Sequence, residues 1–277
     1  MTPALYRKMK IALALLLFSG FTGSSVVTAQ VSVPDSDSDS TQSSAATQPA
    51  PPYQRPVSLG QVIPNIVADQ SKIFLFPAKL NKKKNWIPAA VILGTTAALI
   101  ALDSHDAPYF RRTSTFSGFN GIFTANATAI GTAIVPVSLY ATGLISKDSK
   151  MKGTALLAGE AVADSEILAF VLKDAFKRVR PASIAPTANF SDSWFESRGS
   201  LLSGNGSMPS GHTIAAFSVA TIVARRYGNH RWVPYASYGL AALVGFSRVT
   251  LSAHFVSDVF VGAALGYSVS RFAVLQQ

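Results

Sequence analysis

The sequence predicts an all-α protein, and three observations predict it. Six apolar segments, at about 87–102, 126–146, 153–174, 212–226, 233–251 and 256–272, are each about 15 residues or longer, beyond ordinary strand length. They are rich in Ala, Leu, Val and Ile, and Gly and Pro fall at the joints between them. Hydrophobic residues make up 48% of the chain and charged residues only 14%, against about 25% in a typical soluble domain. A helical bundle is the natural arrangement for such segments.

The elements follow in order. Residues 1–29 read as an export signal: Arg7, Lys8 and Lys10 precede the apolar run 11–18, and Val27-Thr28-Ala29 offers small residues for cleavage. The run is short for a membrane span, which needs about 20 residues. Residues 30–56 are mostly Ser, Asp, Gln, Thr, Ala and Pro, a composition that builds no core, and read as a disordered linker. The folded domain then occupies residues 57–277. It begins with an amphipathic helix over 59–76, stopped by Pro77, and a lysine cluster at Lys79, Lys82, Lys83 and Lys84. The six apolar helices come next. Between the third and fourth lies the segment 182–208, rich in Ser, Asn and Gly, with Trp194 and Phe195 inside it. A loop that long inside a compact domain points to a role over a site.

The net charge of +10 suits anionic partners: phosphate esters, nucleic acid or acidic lipid. No arginine-rich helix or basic–aromatic alternation is present, so nucleic acid is not an expected partner. The absence of cysteine excludes disulfides, thiolate catalysis, cysteine metal sites and a lipoprotein anchor. Composition sets no oligomeric state.

Three segments carry chemistry. In the first, Lys173 and Arg180 stand seven apart before Pro181, so two helical turns would present both on one side. Taken alone they also fit a solvated basic helix end, with Lys177 and Arg178 beside them. In the second, Pro209-Ser210-Gly211-His212 opens the fourth apolar helix. Ser210 is a good N-cap, Gly211 admits a ligand close to the backbone, and the free N–H groups of a helix start bind anions. His212 could protonate a leaving oxygen. In the third, Ser247-Arg248 precedes His254 and Asp258. The last two are four apart, which on a helix puts a carboxylate beside an imidazole, fixes its tautomer and frees the other nitrogen to attack. The remaining histidines, His105 and His230, read as surface or loop residues.

The residues Lys173…Arg180-Pro181, Pro209-Ser210-Gly211-His212 and Ser247-Arg248…His254…Asp258 resemble the three-part signature of the type 2 phosphatidic acid phosphatases. Bacterial class A acid phosphatases and vanadium haloperoxidases belong to the same superfamily. The resemblance covers roughly residues 85–272 and implies a six-helix core of that kind. It implies a metal-independent, cofactor-free hydrolysis of phosphate monoesters or pyrophosphates through a phosphohistidine. His254 would be the nucleophile, Asp258 its support, and His212 the general acid and later base. Lys173, Arg180, Ser210, Gly211 and Arg248 would bind the phosphate. The substrate, a lipid phosphate or a soluble ester, stays open.

Two alternatives remain. A vanadate-dependent haloperoxidase uses the same anion pocket, although such enzymes are usually much larger. A non-catalytic envelope protein could keep the fold, but the intact His254–Asp258 pair and His212 argue against it. Placement is a second open question. Basic clusters at 79–84, 147–152 and 225–231 fit a positive-inside topology of six spans. A cleaved signal would put Arg180 on the wrong side of it, and Glu160, Asp164 and Glu166 are costly in lipid. The expectation is an exported periplasmic or cell-envelope domain resting on the membrane.

Overall fold

The computed structural model describes residues 57–79, 83–196 and 204–275. The expected export signal and linker lie outside the described residues. Eight α-helices are described: α1 (Val62–Phe74), α2 (Lys83–Arg112), α3 (Ser117–Ile122), α4 (Ala125–Ile145), α5 (Ser149–Phe176), α6 (Gly211–Arg226), α7 (Trp232–Thr250) and α8 (Val256–Val269). A π-helical turn, Ser270–Val274, extends α8. No strand occurs among the described residues.

All six apolar segments are helices, with two departures. The first is longer than its apolar stretch: α2 continues from 102 through Asp103, His105, Asp106 and Pro108 to Arg112. Within that polar stretch Asp103 is buried and is bound from outside the helix by Arg178. The third ends earlier than Pro181 predicts. α5 stops at Phe176, where Lys177 takes a left-handed conformation (φ 43°) and its N–H closes onto the Lys173 carbonyl. The short α3 has no counterpart among the expected segments.

Helix α6 is the centre of the bundle and packs on α4, α5, α7 and α8. Its buried face mixes Ile214, Val219 and Ile222 with Ala, Ser and Thr. Small residues let the neighbouring axes come close. Gly262 and Gly266 of α8 are two cases: a Cβ would stand 2.8 Å from the Ser210 carbonyl oxygen at the first and 2.5 Å from that of Ile214 at the second. The larger core cluster joins Leu157, Ala158 and Ala161 of α5 to Val219 and Ile222 of α6 and to Val274 and Leu275. Helix α1 lies on α5.

The outer faces are apolar. Ile87, Val91 and Leu93 on α2, and Ile130, Ile134, Val137 and Ile145 on α4, are all exposed. Trp86–Arg112 and Ala125–Ile145 are long and apolar enough to cross a membrane. Two of the acidic residues of α5, by contrast, do not face outward. Glu160 and Asp164 are fully buried, and accept hydrogen bonds from Asn65 (2.9 Å) and Gln70 (2.8 Å) of α1. The objection those two carboxylates raised against an apolar surrounding is therefore removed by their orientation.

Because Gly262 lets α8 touch the start of α6, Gly262→Ala should overpack that contact. We expect a loss of about 1–3 kcal/mol, seen as a Tm lower by about 2–10 °C. Gly131→Ala on α4, where a Cβ meets nothing within 4 Å, should leave Tm unchanged or raise it. Equal shifts for the two variants would refute the close-approach account.

Candidate active site

The first turn of α6 forms one wall. Ser210 is the N-cap residue and is fully buried, yet its side chain makes no cap hydrogen bond. It accepts instead from the Thr213 hydroxyl (2.9 Å), while its own N–H donates to the Asp258 carbonyl (3.1 Å). The residue is thus fixed without occupying the helix's free donors. Gly211 keeps the approach open. A Cβ there would meet both Glu166 carboxylate oxygens at 3.2 Å and Lys173 Nζ at 3.3 Å. Glu166 thus stands with Lys173 over the helix start, a carboxylate that no sequence motif flagged.

Lys173 lies in the last turn of α5, but Arg180 does not share its helix. Residue 180 is extended (φ −77°, ψ 144°), just before a 3-10 turn at Pro181–Ser183. The two-turn spacing argument therefore fails for this pair. The loop after α5 brings them together instead, held by Val179 N–H to Ser193 O (2.7 Å) and Ala182 N–H to Ser252 O (2.8 Å). Lys173 is within electrostatic reach of Glu166, Arg180 and Asp258.

Arg248, near the end of α7, is almost fully buried. Its Nη2 donates to the Phe123 carbonyl (2.6 Å) and to Ser247 Oγ (2.8 Å), and its Nε to the same Oγ (3.1 Å). Ser247 is itself fixed by donating to the Val244 carbonyl (2.6 Å). Burial lowers the Arg248 pKa to about 10, so it stays cationic at neutral pH.

His254 sits in the turn between α7 and α8, not on a helix. The turn forms through Ala253 and His254 N–H groups on the Arg248 carbonyl (2.9 and 3.2 Å) and a left-handed Ser252 (φ 52°). The expected His–Asp pairing on one helical face is corrected accordingly. His254 Nδ1 is 3.7 Å from Asp258 Oδ2 and only 2.7 Å from the Ser207 backbone carbonyl. A carbonyl can only accept, so Nδ1 carries the proton and Nε2 is left with its lone pair. Burial lowers the ring's pKa, against Asp258, which raises it, and Arg180 and Lys173, which lower it further.

Asp258 acts one step back. It is the third residue of α8 and fully buried. Oδ2 accepts the Phe255 N–H (2.9 Å) and the Ser207 hydroxyl (2.5 Å), and Oδ1 accepts from Arg178 Nη1 (2.8 Å). Burial works against its charge. His254, Arg178 and Ser207 outweigh that and hold its pKa below the usual value. Ser207 thus touches both partners, through its carbonyl and its hydroxyl. Neither Ser207 nor Arg178 belongs to the signature residues.

Arg178 reads in sequence as part of a solvated basic end. In the fold it is 1% exposed. Only Asp103, a carboxylate directly after an apolar run, hinted that a buried cation was needed.

His212, second in α6, is half-buried. Its Nε2 donates to the Ala125 carbonyl at the start of α4 (3.1 Å). Burial first, and Arg248 next, lower its pKa to about 4, although the Ala125 hydrogen bond opposes them. His254 and Lys173 also act on it, so His212, His254, Lys173 and Arg248 share one electrostatic neighbourhood. His105 and His230 are exposed and lie elsewhere.

Residues 154–277 match the model of the PAP2 superfamily. A lipid A 1-phosphatase from Porphyromonas gingivalis is 44% identical over 66 residues, which is 24% of this chain. The chain spans only 15% of that relative's length. The crystal structure of a transmembrane PAP2 type phosphatidylglycerolphosphate phosphatase from Bacillus subtilis overlays at a TM-score of 0.40 and 20% identity, over 76% of this chain and 94% of that one. Lys173, Arg180, Ser210, Gly211, His212, Arg248, His254 and Asp258 all fall inside the region matched by the family model. Through residues 154–277, this chain is similar to the PAP2 superfamily.

Proposed function

We propose that the protein is a membrane-associated phosphatase that hydrolyses the phosphate or pyrophosphate of a lipid through a phosphohistidine. The observation that carries this reading is the seat of His254: Nδ1–H bound to a carbonyl, Nε2 free, and the cations Arg180 and Lys173 acting on the ring. His254 Nε2 attacks phosphorus, forming a P–N bond as the P–O bond to the leaving group breaks. Lys173, Arg180, Arg248 and the N–H groups at the start of α6 hold the other phosphoryl oxygens and oppose their charge. Phosphoryl transfer asks mainly for positioning and charge stabilisation, and fixed cations supply both. His212 gives a proton to the leaving oxygen. To do so it exchanges its hydrogen bond with the Ala125 carbonyl for one with the substrate. Water then attacks phosphorus, His212 takes its proton, and the P–N bond breaks.

The lipid part rests on the exposed apolar faces of α2 and α4, both candidate membrane crossings, and on the lipid A 1-phosphatase among the relatives. An enzyme seated in or on a bilayer meets its substrate there.

Since the positive charge comes from side chains, hydrolysis of a lipid phosphate in mixed micelles should persist in excess EDTA. His254→Ala should abolish it. Activity lost to chelator and restored by a divalent ion would overturn the proposal. Orthovanadate, which adopts the five-coordinate shape of the transferring phosphoryl, should inhibit.

The two roles of His212 can be separated. His212→Ala should slow alkyl phosphates by about 10²–10⁴-fold and nitrophenyl phosphate far less, because a nitrophenolate leaves without a proton. Equal losses on both substrates would remove His212 as the general acid.

The pH dependence follows from the pKa near 4. Arg248, His254 and Lys173 face His212, and all disfavour its protonation. A bound phosphate reverses that field and favours it. The general acid must be protonated, so kcat/KM, which reports the free enzyme, should fall with rising pH from acidic values. The kcat limb, which reports the complex, should lie at distinctly higher pH. His212→Asn should erase the gap between the two profiles. Coincident limbs in the wild type would contradict the assignment.

A further inference from the structure

Arg178 stands outside every motif, yet its side chain is committed atom by atom. Nη2 donates to Asp103 Oδ2 (2.7 Å) on α2. Nη1 donates to Asp258 Oδ1 (2.8 Å) and Ser257 Oγ (2.7 Å), and Nε to Ser193 Oγ (3.2 Å). The guanidinium carbon lies 3.8 Å from the Phe255 ring centroid and 4.4 Å from that of Trp194. Asp103 is bound in turn at the start of α8, by the Ser257 N–H (3.2 Å) and the Ser257 hydroxyl. The backbone of Arg178 also reaches the site: its carbonyl accepts the Ser207 N–H (2.7 Å), and the Ser207 carbonyl accepts His254 Nδ1.

We propose that Arg178 is a positioning residue for the reaction. It holds Asp258 as a carboxylate in the place that orients Ser207 and His254, and Asp103 of α2 holds Arg178. The argument is one of charge. A carboxylate as buried as Asp258 keeps its charge only with a partner at hydrogen-bond distance. His254 also favours the charged form, but at 3.7 Å, with its Nδ1–H on a carbonyl, it is a neutral ring and supplies no full charge. Arg178 supplies a full charge at 2.8 Å on a planar fork that meets both carboxylates. Arg178 touches neither phosphate nor reacting atoms in this scheme. Its effect is exerted through Asp258 and Ser207.

The proposal rests on the phosphohistidine reading of the site, and two readouts keep the claims apart. Arg178→Gln removes the charge and keeps much of the shape. Because it leaves Asp103 without its cation, the double variant Arg178→Gln/Asp103→Asn is made alongside as the better folder. The charged and titratable groups on or next to the His254–Asp258 pair are Arg178, with Asp103 bound to it, and then Lys173, Arg180 and His212, with Glu166 beside Lys173 and Arg248 beside His212. Only the first two are changed. In both variants kcat should fall about 10–100-fold, the range seen for partners that orient metal-ligating histidines and carboxylates. KM should stay the same, because Lys173, Arg180 and Arg248 still hold the phosphate. The acid limb of kcat should move to higher pH, since losing a cation eases protonation of the pair. Arg178→Lys, which keeps the charge, should return the limb to its wild-type position. The second readout needs no turnover. In protein labelled at its four histidines, the His254 ring should titrate at higher pH by NMR in Arg178→Gln than in wild type. If wild type hydrolyses no phosphate ester but this titration still moves, the phosphatase reading falls and the Arg178–Asp258–His254 link stands. If the limb and the titration of Arg178→Gln coincide with wild type, Arg178 only fills space and the proposal is overturned. A raised KM with kcat unchanged overturns it too, by placing Arg178 on the phosphate.

Discussion

The guanidinium of Arg178 lies between two carboxylates and against two aromatic rings, in a place nearly closed to water, and the N-terminus of α8 is built around it. Each partner has a second duty. Asp258 accepts the N–H of Phe255 and Asp103 that of Ser257, so both close the start of α8. That start carries the partial positive charge of a helix N-terminus, which also favours carboxylates. One ion cluster thus joins the apolar helix α2, the loop after α5 and the helix that follows His254. Remove the cation, and two buried acids lose the charge that permits them to be buried.

The cations proposed to bind phosphate have independent supports. Arg248 is held by a backbone carbonyl and by the hydroxyl of its own neighbour, Ser247. Lys173 rides on the last turn of α5, and Arg180 on a loop tied by backbone bonds to residues 193 and 252. The α6 start is fixed through Ser210, whose N–H meets the Asp258 carbonyl. Asp258 therefore contacts both halves of the chemistry. Its side chain stands beside His254 and its backbone anchors the helix start proposed to face the anion.

The helices were legible because their cause is local: length and apolar composition survive in any tertiary setting. The three motif segments were legible for the same reason, as short runs of residue types rare in an apolar chain. What sequence reading missed was set by contacts between distant residues. Helical spacing predicted that Lys173 and Arg180 share a face and that His254 and Asp258 lie on one helix. Left-handed backbone at Lys177 and Ser252 breaks both helices first, and nothing in those side chains announces it. Arg178 was invisible because a lysine- and arginine-rich helix end is usually solvated. Its partner Asp103 lies 75 residues away. Ser207 acts partly through its carbonyl, and residue identity cannot reveal a backbone role.

That separation of 75 residues has a consequence for how the molecule is made. A chain emerges from its N-terminus, at roughly 5–20 residues per second, so α2 exists before the cation that neutralises Asp103. During that interval an apolar helix carries a carboxylate with no Arg178 to meet it. Its final seat becomes habitable only after α5 and the following loop have arrived, and complete only when α8 supplies Ser257. Helix α2 is thus among the first helices synthesised and among the last able to settle. The candidate site is completed by the return of an early segment to a late one.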